Sequence, residues 1–177
     1  HQLDLIENSF WKYQNLDPKQ GNFLNRTLVQ NVVTGCTVMI NQPLRQLATP
    51  ISNECIMHDW WIALVAAAFG KIAYIETPTV LYRHHQSNLI GSKKWDLKYI
   101  FSRAIDPKNI KVCFEETIYQ AQSFLDIYRS SLAVESLELV ETYSDLNNLN
   151  FFQKRTALLK HGYYKIGSLR NLGLFLA

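Results

Sequence analysis

Apolar positions follow two different rhythms along this chain. Trp61, Leu64, Val65 and Ala68 stand at i, i+3, i+4 and i+7, the spacing of one helix face, and Gly70 is placed to end that helix. Further on, Ile118, Ala121, Leu125, Tyr128 and Leu132 recur at intervals of three and four, which predicts a long amphipathic helix over residues 114–142. The run Asn147-Asn148-Leu149-Asn150 breaks it, and a last helix begins near Phe151, with Gly162, Gly167 and Gly173 punctuating the end. Residues 32–40 are instead rich in β-branched side chains and read as a buried strand, with Gly35 as a bulge or a point of close backbone approach. Residues 71–75 and 79–82 read as two short strands separated by Thr77-Pro78. Smaller elements fill the gaps. Residues 1–15 hold a strand end or short helix, Asp17 to Asn22 is turn chemistry in an exposed loop, and residues 24–31 suit a short helix. Pro43 opens a short helix over residues 44–47. The expected organisation is therefore an α/β part over residues 1–94 followed by a helical extension over residues 95–177.

Composition fits a folded protein: of 177 residues, 47% are hydrophobic and 19% charged, outside the range of disordered chains. The net charge of +3 is unevenly spread. Residues 1–95 carry eight Lys/Arg and six Asp/Glu, residues 96–150 five and nine, and residues 151–177 five and none, giving +2, −4 and +5. The first 150 residues are near neutral, which argues against nucleic acid. A basic, apolar C-terminus suits peripheral contact with an anionic membrane surface, and equally a solvated helix packed on its own domain. Cys36, Cys55 and Cys113 are odd in number and widely spaced, the pattern of buried thiols in a reducing compartment rather than of a zinc site. No apolar run reaches the roughly 18 residues of a transmembrane helix.

One short window combines a titratable pair with large aromatic walls: His58-Asp59-Trp60-Trp61, at a loop-to-helix junction. An Asp there commonly caps free backbone N–H groups, but indoles beside a carboxylate also make the setting of a general base. His58 reads as its hydrogen-bonding partner. A second polar cluster, Arg83, His84, His85 and Asn88, follows the predicted strand at residues 79–82. Arg pairs with phosphate, His ligates divalent metals and Asn hydrogen-bonds sugars; a plain surface loop has the same composition.

Taken in order, Thr34-Gly35-Cys36-Thr37-Val38-Met39-Ile40-Asn41, then His58-Asp59-Trp60-Trp61, then the stretch from Tyr82 to Gly91 resembles the C-terminal half of family 2 glycosyltransferases. The similarity is nearest to the bacterial rhamnosyltransferase-like branch that builds cell-surface polysaccharides, and it covers about residues 8–95. It implies a GT-A fold with a mixed sheet, a nucleotide-sugar donor, a glycan acceptor, and Mg²⁺ or Mn²⁺. By the same resemblance Asp59 is the catalytic base of an inverting transfer, for instance of rhamnose from a dTDP-linked donor. Gly35, Cys36, His58, Trp60 and Trp61 then border the acceptor, Arg83, His85 and Asn88 the donor phosphates, and His85 the metal.

The chain departs from that pattern in one large respect. The family's N-terminal half carries the nucleotide-binding strands and an Asp-x-Asp metal motif; neither stands ahead of Gly35. The chain, which begins with His, is therefore expected to be the acceptor-side piece of a larger enzyme, inactive alone. Its expected setting is the cytoplasm or the inner face of the cytoplasmic membrane, touched through residues 151–177, and a homo-oligomer is compatible with it. The contrasting expectation is a non-catalytic carbohydrate-binding or assembly module without a donor site.

Overall fold

A computed structural model of the chain describes residues 4–83 and 107–177. Within them every regular element is a helix. Short helices α1 (Phe10–Gln14), α2 (Leu24–Thr27) and α3 (Gln42–Ala48) lead to α4 (His58–Phe69). After residue 106 come α5 (Pro107–Tyr128), α6 (Val134–Ser144), α7 (Phe151–Lys160) and α8 (Ser168–Leu176).

The expected mixed sheet is absent among the described residues, which overturns the α/β, GT-A architecture. Val32 to Ile40 makes a single 3-10 turn at Gly35–Thr37, and residues 71–75 and 79–82 run without ladder partners. The physical reason lies in what β-propensity measures. β-branched side chains favour a pleated, half-buried surface more than an extended backbone as such, so without a neighbouring strand their pattern specifies no sheet. Met39, Ile75 and Leu81 accordingly stand exposed instead of filling a core.

Local chemistry sets the helix ends. The Asn41 side chain accepts from the Leu44 backbone N–H at 3.0 Å, with Pro43 in the first turn of α3, and α4 stops at Gly70. Asp17 accepts from the Lys19 N–H at 3.0 Å and starts a 3-10 turn over Pro18–Asn22, so that stretch is ordered and its Gly21 is buried. The long helix expected over residues 114–142 is two helices. Its apolar stripe runs on, but Ser130 and Ser131, which favour turns over helix interiors, coincide with the break, and α6 packs back on α5.

One core runs from end to end. Trp61 on α4 meets Phe124 and Tyr128 on α5 at ring-centroid distances of 5.6 and 6.2 Å. Tyr143 on α6 meets Phe114 at 6.3 Å and Tyr163 at 5.0 Å. Leu28, Leu64, Leu146, Leu158 and Leu174 close the same cluster. Polar ties cross the molecule as well. The Ile56 N–H donates to Gln120 Oε1 at 2.9 Å, and Tyr128 Oη to the Leu47 carbonyl at 2.8 Å. Arg170 on α8 reaches back to the Gln14 and Asn15 carbonyls at 2.6 and 2.8 Å. The helical extension is thus built into the same core as the first part; the boundary expected at residue 94 lies outside the described residues.

Candidate functional site

Asp59 lies in the first turn of α4, one residue inside the helix, and Met57 rather than Asp59 holds the capping position. Its carboxylate therefore does not cap its own helix. It faces the loop from α2, where Oδ2 accepts the Gly35 backbone N–H at 2.8 Å and Oδ1 accepts Asn31 Nδ2 at 3.2 Å. Asn31 in turn accepts the Val33 N–H at 2.8 Å through its own Oδ1, an Asx-type turn. That bond fixes the amide so that its NH₂ points at the acid. Just beyond, the Thr37 N–H and Oγ1 both donate to the Thr34 carbonyl, at 2.9 and 3.0 Å, and close the turn on which Cys36 is exposed.

His58 is exposed on the rim of this arrangement. Its imidazole lies so near Gly35 that a Cβ there would stand 2.7 Å from Nε2 and 3.3 Å from Asp59 Oδ2. Gly35 is a point of close approach, but to side chains across a turn rather than between strands. The two tryptophans face the core. Trp60 Nε1 donates to the Thr27 carbonyl at 2.6 Å and ties α4 to α2, while Trp61 is fully buried against α5. They hold the helix that presents His58 and Asp59; neither indole forms an open wall beside the acid.

Gly35, Cys36, His58 and Asp59 thus come together, although 24 residues separate Gly35 from Asp59. Arg83 is exposed at the end of the described N-terminal part, and His85 and Asn88 lie outside the described residues. Asn31 belongs to the cluster although the apolar pattern gives no hint of it. The available signal was chemical, an Asn at the end of a helical stretch where Asx turns form. Cys55 is a second neighbour: burial pushes its thiol pKa up and the Asp59 charge adds to the rise, so it is poorly suited to nucleophilic work. A shallow cavity of about 240 Å³ lined by Asn53, Glu54, Cys55, Ile56, Glu116 and Tyr119 does not include Gly35, His58 or Asp59.

Both Asp59 carboxylate oxygens face N–H donors, and His85, the residue expected at a metal, lies outside the described residues. Among the described residues no group of three or more His, Cys, Asp or Glu side chains could hold a metal ion. No described helix is long and apolar enough to cross a membrane.

No family model, curated protein or solved structure matches this chain. The glycosyltransferase resemblance therefore rests on the order and type of its short motifs alone.

Proposed function

We propose that this chain supplies the acceptor side of an inverting glycosyltransferase, with Asp59 as the general base. One observation supports the reading most: the Gly35 segment and the His58-Asp59 segment, distant in sequence, meet through a 2.8 Å bond to the carboxylate. That contact gives the acid a fixed position beside an exposed turn and an exposed imidazole. Each carboxylate oxygen accepts one N–H and retains a second lone pair, which can receive a hydroxyl proton.

In this mechanism Asp59 takes the proton of an acceptor hydroxyl as that oxygen attacks the anomeric carbon. The new C–O bond forms while the bond to the nucleoside diphosphate breaks, and the diphosphate leaves with the electron pair. The configuration at the anomeric carbon inverts, and one carboxylate suffices because no sugar is bonded to the enzyme. The donor proposed is a nucleotide-linked deoxysugar such as dTDP-rhamnose, and the acceptor a surface or lipid-linked glycan. Arg83, His85 and Asn88 are assigned to the donor phosphates by resemblance alone. Mg²⁺ or Mn²⁺ belongs to this proposal only as companion to the donor diphosphate, whose charge it would neutralise; no described residue is assigned to it.

A second reading has its own observation. A carboxylate held by Gly35 and Asn31 is also a clasp that pins the loop at residues 31–37 onto α4, as a non-catalytic carbohydrate-binding module would need. Asp59→Asn in the intact protein separates the two. The amide keeps an oxygen for the Gly35 N–H but cannot serve as the base. The expected outcome is a loss of sugar transfer of about 10²–10⁴-fold, the contribution of a positioned base, with donor binding unchanged. Turnover within about twofold of the native protein, alongside a lowered melting temperature, would leave the clasp and remove the base.

A further inference from the structure

We propose that Asn31 is a positioning residue for Asp59, holding the carboxylate in one orientation beside the exposed turn at Gly35–Thr37. Its role rests on the reading of Asp59 as the base. An asparagine amide offers an acceptor at one end and donors at the other, and it can turn either way until a neighbour chooses. Here the Val33 backbone N–H donates to Asn31 Oδ1 at 2.8 Å, so the acceptor end is taken. Nδ2 then faces Asp59 and donates to its Oδ1 at 3.2 Å, while the Gly35 N–H meets Oδ2 at 2.8 Å. Two donors on two oxygens stop the carboxyl group from turning about its own bond, which one donor would allow. Asp59 is buried, so a donor lost there leaves an acceptor that bulk water does not freely satisfy.

The loop that carries Asn31 is itself pinned on both sides of that residue. Trp60, next to Asp59 on α4, donates through Nε1 to the Thr27 carbonyl at 2.6 Å. Gln30 Oε1 accepts the Ile166 N–H, from the α7–α8 connection, at 2.7 Å. The Val32 carbonyl accepts Trp11 Nε1, from α1, at 3.1 Å. An amide held this way is a preorganised donor, in place before any reaction begins. In the proposed transfer Asp59 must present a lone pair to the acceptor hydroxyl at a fixed angle, and a misplacement of about 1 Å costs roughly a hundredfold. Shaping the loop needs only Asn31 Oδ1; the bond from Nδ2 is what ties the residue to the acid.

Asn31→Ser separates those two bonds. A serine hydroxyl accepts the Val33 N–H in the same kind of turn, more weakly, but is too short to reach Asp59. The substitution is made in the native protein and in Asp59→Asn, with both melting temperatures followed by circular dichroism. In the native background kcat is expected to fall about tenfold to hundredfold, the range of a hydrogen bond to a charged group, with the donor KM unchanged. In the Asp59→Asn background it should lower turnover no further, because the two residues act as one unit. The 177-residue chain also gives a readout that needs no turnover. Amide exchange at Gly35, whose N–H is bonded to Asp59 Oδ2, should quicken about tenfold in Asn31→Ser as the carboxylate loosens. Unchanged kcat, an equal loss in both backgrounds, or unchanged Gly35 exchange each overturns the role of Asn31 and leaves Asp59 as the base. Native turnover by Asp59→Asn overturns both, so the two failures are read apart.

Discussion

A side chain at position 35 would meet His58 before anything else. The nearest atom to a Cβ there is His58 Nε2, at 2.7 Å, and the next is Asp59 Oδ2, at 3.3 Å. Gly35 does not sit in the left-handed backbone region, where only Gly162 and Gly167 among the described glycines lie, so space rather than conformation calls for glycine. His58 is exposed and can swing aside, whereas Asp59 is held by two bonds. Gly35→Ala is therefore expected to lower stability by no more than about 1–2 kcal/mol, and, if the site performs glycosyl transfer, to reduce transfer by more than that loss implies. Melting temperature and turnover measured on the same preparation check it; unchanged turnover would show that the place of His58 is irrelevant to the reaction. Residues 35, 58 and 59, which stand out by type and order, are brought together by the fold. Asn31 does not stand out, because its role depends on which way its amide turns once Val33 has taken its oxygen.

At the level of elements, helices with built-in stop and start chemistry were legible and strands were not. α7 begins at Phe151, where the Asn-rich break predicts a helix start, and its first turn shows why. Asn150 Oδ1 accepts the Gln153 N–H at 3.0 Å while Gln153 Oε1 accepts the Asn150 N–H at 3.1 Å, a reciprocal capping box. Asn150→Ala should cost about 0.5–2 kcal/mol and lower the melting temperature by about 2–4 °C for each kcal/mol lost. A thermal melt followed by circular dichroism reads it directly, and an unchanged melt would mean that packing of Ala157 and Leu158 alone sets this helix. Residues 32–40 and 71–82 tell the opposite story. A helix satisfies its backbone bonds within itself, but a strand needs a partner that no local pattern can name. The same limit applies to the division at residues 130–131, where a continuous apolar stripe concealed a turn.

For the molecule as a whole, the decisive feature is where α5, α6 and the α7–α8 connection meet. Tyr143 is fully buried and shares a 2.8 Å hydrogen bond with Thr117, and Tyr163 Oη donates to the Leu139 carbonyl at 2.6 Å. Burial pushes both phenols above the ordinary tyrosine pKa, and for Tyr163 the neighbouring Tyr143 adds to the rise. A pKa raised in the folded state gives stability that is complete below the unfolded value of about 10 and is lost as pH climbs toward the folded value. Alkaline titration should thus unfold the protein cooperatively above about pH 10, with these tyrosinates appearing together with the loss of helical dichroism. Full tyrosine ionisation near pH 10 with the helices intact would contradict the burial described here. By itself, the amino-acid order determined the helical rhythm of α4 to α7, the glycine and asparagine ends, the basic C-terminus and the adjacency of an acid and a histidine, because these depend on residues a few positions apart; the hydrogen bonds of that acid go to Gly35 and Asn31 and not, as expected, to His58. Tertiary structure alone decided that the β-branched runs form no sheet among the described residues, that the two tryptophans serve the core, and that Asp59 grips Gly35 and Asn31. Each of those outcomes depends on a partner brought in from a distant part of the chain.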